Sequence, residues 1–231
     1  MTNEELIIAQ DLSKDYPIGG DFFRALDGIN LSVKQGEFSG IIGPSGSGKT
    51  TLLNIIGALD TPSDGSVNVL GNKVENMTHT ESANLRNNFL GFIFQTYNLL
   101  PVYNVYENVE FPLLLQKIEK LQREEMVMQA LEWVGLTNKA KSRPSQLSGG
   151  ESQRVAIARA MVKKPKIVLA DEPTANLDAD NSHHILKTMV KLNEELNTTF
   201  LFSTHDEKVI SYLKRKIMLN DGKLVDDILV N

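Results

Sequence analysis

The chain is organised around the stretch Gly43-Pro44-Ser45-Gly46-Ser47-Gly48-Lys49-Thr50. It has the spacing G-x-x-x-x-G-K-[ST], and it lies between the apolar run Phe38 to Ile42 and a helix-like run, Thr51 to Leu59. A glycine-rich turn in this context directs successive backbone N–H groups at one point, where the helix adds its positive dipole end. The stretch therefore predicts a phosphate-binding loop, with Lys49 for the β- and γ-phosphates and Thr50 as a ligand for Mg²⁺. A plain glycine-rich turn entering a helix is the alternative.

Composition is that of an ordinary globular protein. The 231 residues suffice for one sizeable core, or for one core with a small subdomain. Hydrophobic residues make up 41% and charged residues 23% of the chain, values that do not indicate disorder. A net charge of −5 argues against a general nucleic-acid binder, and the absence of cysteine excludes disulfides and thiolate metal sites.

The N-terminus gives an expectation about location. Met1 to Glu5 is acidic and lacks the basic and apolar regions of a signal peptide. No apolar run in the sequence approaches the ~18 residues that a spanning helix needs. We therefore expect a cytosolic chain whose role at a membrane comes through a partner.

Polar side chains follow three further apolar runs. They are Gln95 after residues 90–94, Asp171 and Glu172 after residues 167–170, and His205 just beyond residues 199–203. In open α/β sheets, ligands lie beyond the carboxyl ends of the strands. We predict that Asp171 holds Mg²⁺ through water, that Glu172 polarises an attacking water and that His205 faces the γ-phosphate. Taken singly, the alternatives are a capping Gln95, an acidic turn at Asp171 and Glu172, and a structural His205.

A second helix start has the features of an anion-binding site. Residues 147–154 precede a helix predicted over Val155 to Val162, and Ser148 and Glu151 form an S-x-x-E capping box. The box does not explain Gly149 and Gly150, which weaken a helix entrance while they leave its N–H groups accessible. We predict a second anion-binding helix N-terminus here.

Periodicity predicts the remaining elements. Strands are expected at 6–9, 29–33 and 66–70, helices at 81–88, 124–134 and 181–196, and a hairpin with a D-G turn at 216–225. Residues 104–140 read as helical, which indicates a small inserted subdomain. A turn-rich connection, Tyr16 to Gly20, carries an aromatic that either packs against the core or stacks on a nucleobase.

Together these residues resemble the ATP-binding subunit of ABC transporters, over nearly the whole chain. By this resemblance, Walker A is Gly43 to Thr50, the Q-loop glutamine is Gln95 and the signature is Leu147 to Glu151. The Walker B acid is then Asp171, the catalytic glutamate is Glu172, the D-loop aspartate is Asp178 and the switch histidine is His205. Tyr16 occupies the position of the adenine-stacking aromatic. The seven elements from Walker A to the switch histidine follow the right order, each at the expected strand or helix end, and they make the resemblance specific.

The resemblance implies an α/β fold. This is a P-loop NTPase core with a mostly parallel sheet, an N-terminal antiparallel β subdomain and an inserted α-helical subdomain. We expect one ABC ATPase domain over 1–231, with the catalytic core and β subdomain in residues 1–95 and 160–231. The helical subdomain with the signature is expected in residues 96–159.

The resemblance also implies a site shared between two chains, in which two ATP molecules are held head to tail. The implied ATP-binding residues of one chain are Tyr16, Gly43, Pro44, Ser45, Gly46, Ser47, Gly48, Lys49, Thr50, Thr51 and Gln95, and those of the second chain are Ser148, Gly149, Gly150, Glu151 and Asp178. The implied Mg²⁺ ligands are Thr50, Gln95 and Asp171. The implied catalytic residues are Glu172, His205, Gln95 and Lys49. ATP and Mg²⁺ are the implied cofactors.

Within the family, residues 92–101 with Glu107-Asn108-Val109 and Pro112 are similar to the lipoprotein-release and macrolide-export branch, to which the cell-division ATPase is related. Glu151, in place of the commoner Gln, fits this branch, whereas Ala175 departs from the Gly that its members often have. The branch implies a homodimer that joins integral membrane permease subunits on the cytoplasmic face of the inner membrane, without nucleic acid. Residues 97–101 and 103–106, apolar and aromatic, are a candidate partner surface, with core packing as the alternative.

Three other functions share the phosphate loop. A GTPase needs an N-K-x-D base reader, and the runs 72–75 and 138–141 lack its Asp. A kinase would not explain residues 147–151, and its ATP consumption would depend on an acceptor. The third alternative is an ATP-gated regulatory scaffold without transport, as in cell division. Soluble ABC proteins usually carry two cassettes or a long coiled-coil insertion, and this sequence has neither.

Overall fold

The strands form two sheets. The computed structural model describes residues 4–230. The strands are β1 (Glu5–Ile18), β2 (Asp21–Lys34), β3 (Phe38–Ile42), β4 (Asp64–Val69), β5 (Asn72–Lys73), β6 (Leu90–Ile93), β7 (Ile167–Asp171), β8 (Thr199–Thr204), β9 (Arg215–Asn220) and β10 (Lys223–Leu229). The smaller sheet has the order β2-β1-β4-β5 and is antiparallel throughout. The larger sheet has the order β10-β9-β3-β8-β7-β6 and is parallel except for β10.

Along the chain, the helices lie between strands. They are α1 (Lys49–Ile56), α2 (His79–Phe89), α3 (Val105–Leu115), α4 (Lys120–Trp133), α5 (Gly149–Met161), α6 (Ala179–Leu196) and α7 (Glu207–Ile210). Capping boxes open α2, α3 and α5, and Gly135 follows α4 in the left-handed region at φ +67°. The predicted fold class, a parallel core with an N-terminal antiparallel subdomain and inserted helices, is confirmed.

The parallel strands are buried on both faces. On β8, Phe200 and Phe202 join the cluster that packs against α3 to α6, whereas Leu201 joins the cluster beneath α1 and the smaller sheet. Alternate side chains of a strand point to opposite faces, so a strand covered on both sides reads as a continuous apolar run. This burial fixes the sheet and holds its carboxyl edge in place.

The N-terminal strands are longer than predicted. The interpretation of Tyr16 to Gly20 as a loop was wrong for Tyr16, Pro17 and Ile18, which belong to β1, and only Gly19-Gly20 forms the turn. Pro17 is tolerated because, among the recorded pairings, β1 contacts β4 only as far as Ser13 and β2 alone beyond it. Register shifts along β1 break the alternation from which the strand would have been read.

The division into a core and a helical subdomain stays a prediction. The chain between β6 and β7 forms α3, α4 and α5, as the predicted insertion requires, and α5 runs past the proposed boundary at residue 159. The acidic N-terminal stretch begins at Met1, and its first three residues lie outside the described part of the chain. Within residues 4–230, no helix combines the length and the apolar character needed to span a bilayer.

Candidate active site

The sequence-predicted site residues leave the larger sheet at one edge. Strand pairing sets Ile42 of β3 beside Thr204 of β8, Asp171 of β7 beside Ser203, and Ile93 of β6 beside Ala170. Because these strands are parallel, their carboxyl ends lie side by side. The phosphate loop and the segments with Gln95, Glu172 and His205 therefore begin within one row of strand ends.

The loop of residues 43–50 has the geometry of an anion cradle. Gly46 and Gly48 adopt φ of +80° and +101°, a region that is strained for other residues. Gly48 is also the N-cap of α1 and offers the helix no side-chain acceptor, so the first N–H groups of α1 are left for a ligand. The buried hydroxyl of Ser47 has no hydrogen-bond partner among the described residues. These features fit a phosphate group.

Lys49 is held inside this loop. Its Nζ donates to the carbonyl oxygens of Gly43 and Pro44, each at 2.9 Å, and the residue is buried. Two neutral carbonyls satisfy an ammonium group less strongly than charged phosphate oxygens would. The positive charge of Lys49 therefore lies inside the loop, where it can bind the oxygens of a triphosphate.

Thr50 and Asp171 come together although 121 positions separate them in the sequence. The Thr50 hydroxyl lies 3.1 Å and 3.2 Å from the two carboxylate oxygens of Asp171. A hydroxyl and a carboxylate side by side are hard oxygen donors of the kind that Mg²⁺ prefers. The third predicted ligand, Gln95, has an exposed side chain, and its backbone carbonyl accepts from Nδ2 of Asn176 at 2.9 Å.

Glu172 lies at the centre of a small cluster. One carboxylate oxygen is 2.6 Å from Nδ1 of His205, and the other accepts from the hydroxyl of Thr204 at 3.2 Å. Glu172 itself has φ +46°, in the left-handed region that is uncommon for residues other than glycine. The structure therefore unites the predicted base with the predicted switch histidine.

Tyr16 faces the phosphate loop across a cavity of about 240 Å³. The lining residues are Tyr16, Phe23, Ala25, Gly46, Gly48, Lys49, Thr50 and Thr51. Tyr16 and Phe23 are register partners on β1 and β2, so their side chains are on the same face of the hairpin. Sequence reasoning missed Phe23, whose signal was an aromatic pair, Phe22-Phe23, just beyond the turn.

The signature segment, residues 147–151, forms the start of α5, away from the cavity that Tyr16 lines. Ser148 accepts from the backbone N–H of Glu151 at 3.2 Å, and Glu151 accepts from that of Ser148 at 2.8 Å, which confirms the capping box. The Ser148 N–H and then Lys139 lower the pKa of Glu151, so this carboxylate stays ionised. Among the described residues that line the Tyr16 cavity, none belongs to 148–151.

The two glycines of this segment accommodate close neighbours. A methyl group on Gly149 would lie 3.1 Å from the hydroxyl of Tyr97, and one on Gly150 would lie 2.5 Å from Oδ1 of Asn181. Asn181 in turn donates to both carboxylate oxygens of Asp178, and these bonds, first that of its backbone N–H and then that of its side chain, lower the pKa of Asp178. The signature and D-loop residues thus form one neighbourhood.

Sequence reasoning also missed Arg159, which ties α5 to the segment after β6. Arg159 is half-buried, and its guanidinium donates to the carbonyl oxygens of Tyr97 at 2.6 Å and Asn98 at 2.5 Å. Burial lowers the pKa of Arg159, and the two carbonyl oxygens replace hydrogen bonds to water that its cation loses. Its signal was an arginine within the apolar run of α5.

Beside Arg159 lies a groove of about 320 Å³, here called the apolar groove. Its lining residues are Leu90, Gly91, Phe92, Phe94, Asn98, Leu100, Phe111, Pro112, Arg159, Ala160 and Lys163. It overlaps the candidate partner surface at Asn98 and Leu100, and Gln95 follows its rim directly in sequence. The exposed side chains of Val102, Leu114 and Leu115 belong to the same region of the chain.

A family model described as "ABC transporter" matches residues 26–175, more than half of the chain. The chain belongs to the ABC transporter family. The match covers the phosphate loop, Gln95, the signature and both carboxylates of this ABC ATPase, whereas Tyr16 and His205 lie outside it.

Relatives of this ABC ATPase match over almost its full length. It is 44% identical to the lipoprotein-releasing system ATP-binding protein LolD of Pseudoalteromonas translucida (strain TAC 125), over 96% of each chain. It is 43% identical to the uncharacterized ABC transporter ATP-binding protein YknY of Bacillus subtilis (strain 168), over 95% of each chain. The resemblance to the lipoprotein-release branch is confirmed.

The fold also matches solved structures. A dimeric, post-hydrolysis structure of the ATP-binding cassette MJ0796, bound to ADP and Pi, superimposes with a TM-score of 0.90 at 39% identity, covering 97% of this chain and 99% of that one. The cassette cbiO1 from Clostridium perfringens, part of the complex cbiONQ, gives 0.87 at 29% identity, over 97% and 88%. The ABC ATPase described here is an ATP hydrolase that serves a membrane transporter. The regulatory-scaffold alternative is not favoured.

Proposed function

We propose that this ABC ATPase acts as a head-to-tail homodimer that closes two ATP sites. In each site the phosphate loop comes from one chain, and Ser148, Gly149, Gly150, Glu151 and Asp178 come from the other. The observation that carries the proposal is that the phosphate loop of the chain has the geometry of an anion cradle, while the capped helix start at Ser148 lies elsewhere, with Tyr97 and Asn181 close to its two glycines. A second copy supplies the group that closes the cradle.

Within each site, the chain's own residues divide the work of hydrolysis. Lys49 and the N–H groups at the start of α1 bind the β- and γ-phosphates and offset their charge. Glu172 accepts a proton from the attacking water, and His205 and Gln95 orient the water and the γ-phosphate. Bound beside Thr50 and Asp171, Mg²⁺ would neutralise charge on the β- and γ-phosphates. Tyr16 stacks on the adenine across the cavity.

The dimer can be tested by a change that keeps the fold. Asp is as good an N-cap as Ser, so Ser148→Asp preserves the start of α5. The new carboxylate would repel the negatively charged γ-phosphate of the ATP bound by the other chain. With Glu172→Gln present to slow turnover, light scattering should record a dimer with ATP for the parent and a monomer for Ser148→Asp. The matched control Ser148→Thr should dimerise. A full dimer of Ser148→Asp would contradict the composite site.

We further propose that the transporter exports a substrate or releases lipoproteins, and that the chain is held on the cytoplasmic face of the inner membrane by permease subunits. The identity to LolD supports the choice of lipoprotein release or a related export. The apolar groove supports a permease contact because it adjoins Gln95 and Arg159. An apolar element seated there would be linked to the nucleotide site through Gln95 and to the signature through α5.

The permease contact predicts a specific loss of binding. Phe111 is half-buried in the groove, and Phe111→Glu would put a charge where an apolar element docks. We expect the parent chain, purified from membranes, to retain an integral membrane protein that Phe111→Glu loses. ATPase activity of the isolated chain should be unchanged. The matched control Leu121→Glu changes an exposed leucine outside the groove and should retain the partner. Equal retention by both variants would exclude the groove as the docking site.

A further inference from the structure

Tyr16 is held from two sides by residues with no role in the motifs. Its hydroxyl donates to Oδ2 of Asp60 at 2.8 Å. The other oxygen of Asp60 accepts from Nζ of Lys14 at 2.6 Å, and that same Nζ donates to the carbonyl of Thr61 at 2.7 Å. Lys14 also lies 5.0 Å from the centroid of the Tyr16 ring. Lys14, Asp60 and the Tyr16 hydroxyl, here called the clasp, form one closed group.

The clasp is shielded from water. The side chain of Lys14 is 11% exposed and that of Asp60 is 29% exposed, so their ion pair is screened less than a pair on the open surface. Burial opposes ionisation of Asp60, but the hydrogen bonds from Lys14 and Tyr16 outweigh it and lower the pKa of this carboxylate. Burial and then the bond to Asp60 raise the pKa of Tyr16, so its hydroxyl stays a donor.

The clasp also decides which face of the ring is available. A cation within about 6 Å of a ring centroid occupies one face of the aromatic system. Lys14 takes that face, and Tyr16 also lines the cavity over the phosphate loop. A nucleobase therefore has the opposite face of the ring, and the hydroxyl bond to Asp60 prevents the ring from swinging away. Asp60 follows α1, so the ring is anchored to the far end of the same helix whose start binds phosphate.

We propose that Lys14 and Asp60 are positioning residues that hold the Tyr16 ring ready to stack on the nucleotide base. This inference rests on the proposed stacking role of Tyr16. A side chain that is already fixed loses less conformational freedom when the base arrives, so base affinity rises without a new contact to ATP. The clasp makes no contact with the phosphates, and its effect must be confined to ligands that carry a base.

The test compares ATP with inorganic tripolyphosphate, which has the phosphates and no base. Tyr16→Phe keeps the stacking ring and removes only the bond to Asp60, and Lys14→Met removes the cation while it keeps the stem. We expect each change to weaken ATP binding about 3- to 10-fold, the effect of freeing one side chain. Tripolyphosphate affinity, measured by calorimetry, should stay unchanged, which also shows that the phosphate loop is folded. The control Tyr212→Phe removes a hydroxyl whose partner is His183 and should change neither affinity.

The outcomes separate this inference from the one on which it rests. Unchanged ATP affinity in Tyr16→Phe and Lys14→Met, or equal losses for ATP and tripolyphosphate, would overturn the clasp. Tyr16→Ala distinguishes the two levels, because removing a stacking ring should weaken ATP roughly 5- to 100-fold and leave tripolyphosphate alone. If Tyr16→Ala shows no such difference, Tyr16 is not a stacking platform. If it does and Tyr16→Phe does not, only the clasp is wrong.

Discussion

Replacing Glu172 by Gln should slow ATP hydrolysis about 100- to 10,000-fold, the usual contribution of a general base. The change preserves the size of the side chain and its bond from Thr204, but the amide cannot take a proton from water. The groups that hold the triphosphate, Lys49 and the N–H groups of α1, are untouched. ATP binding should therefore persist, and the ATP-bound dimer should accumulate.

Phosphate release measures the slower hydrolysis, and light scattering measures the accumulation of the ATP-bound dimer. Glu207→Gln is a matched control, because Glu207 is an exposed carboxylate of the same strand-end region, whereas the side-chain partners of Glu172 are Thr204 and His205. It should hydrolyse ATP like the parent. If Glu172→Gln kept normal turnover, the base would have to be another group.

A mixture of two inactive variants should recover activity. Lys49→Met removes the loop's cation, and Ser148→Asp blocks the closing segment, so each variant alone should lose at least roughly 100-fold in turnover. In a mixed dimer, the intact phosphate loop of the Ser148→Asp chain meets the intact Ser148 of the other. Random pairing would make about half of the dimers mixed, each with one complete site of two, and would recover roughly a quarter of parent activity. Because Ser148→Asp does not pair with itself, recovery should reach at least that level.

A second mixture serves as its control. Lys49→Met and Glu172→Gln both damage the half of the site that contains the phosphate loop, because these residues meet at the same sheet edge of one chain. Their mixed dimers have no complete site and should stay inactive. Recovery in both mixtures, or in neither, would contradict an assignment of Ser148 to the opposite chain from Lys49.

The core strands could be predicted from the sequence because their environment is uniform. Strands β7 and β8 are covered on both faces, and their apolar runs have no other interpretation next to a phosphate loop. Strands β1 and β2 were only partly predicted, since bulges shift the register and Pro17 and Gly19 resemble a loop. The short strand β5 and helix α7 carry too few residues for a periodic signal.

For the site, the sequence predicted which residues end each strand, because motif order and sheet geometry together bring strand ends to one edge. It did not predict who touches whom. The shared Mg²⁺ predicted for Thr50 and Asp171 implied that these residues are neighbours, but neither their direct hydrogen bond nor the bonds of Arg159 to the segment after β6 were predicted. Such contacts depend on how helices pack in the folded protein, which the spacing of residues in a motif does not predict.

The backbone of Glu172 has an evolutionary consequence. A non-glycine residue with φ +46° is strained by about 1–3 kcal/mol, which glycine would avoid. The carboxylate returns about 0.5–1.5 kcal/mol through its bond from the Thr204 hydroxyl and somewhat more through His205. The two contributions are of similar size, so selection for thermodynamic stability alone is nearly indifferent to a carboxylate at this position. Loss of turnover, rather than unfolding, is therefore the penalty that would keep glutamate here against a drift to glycine.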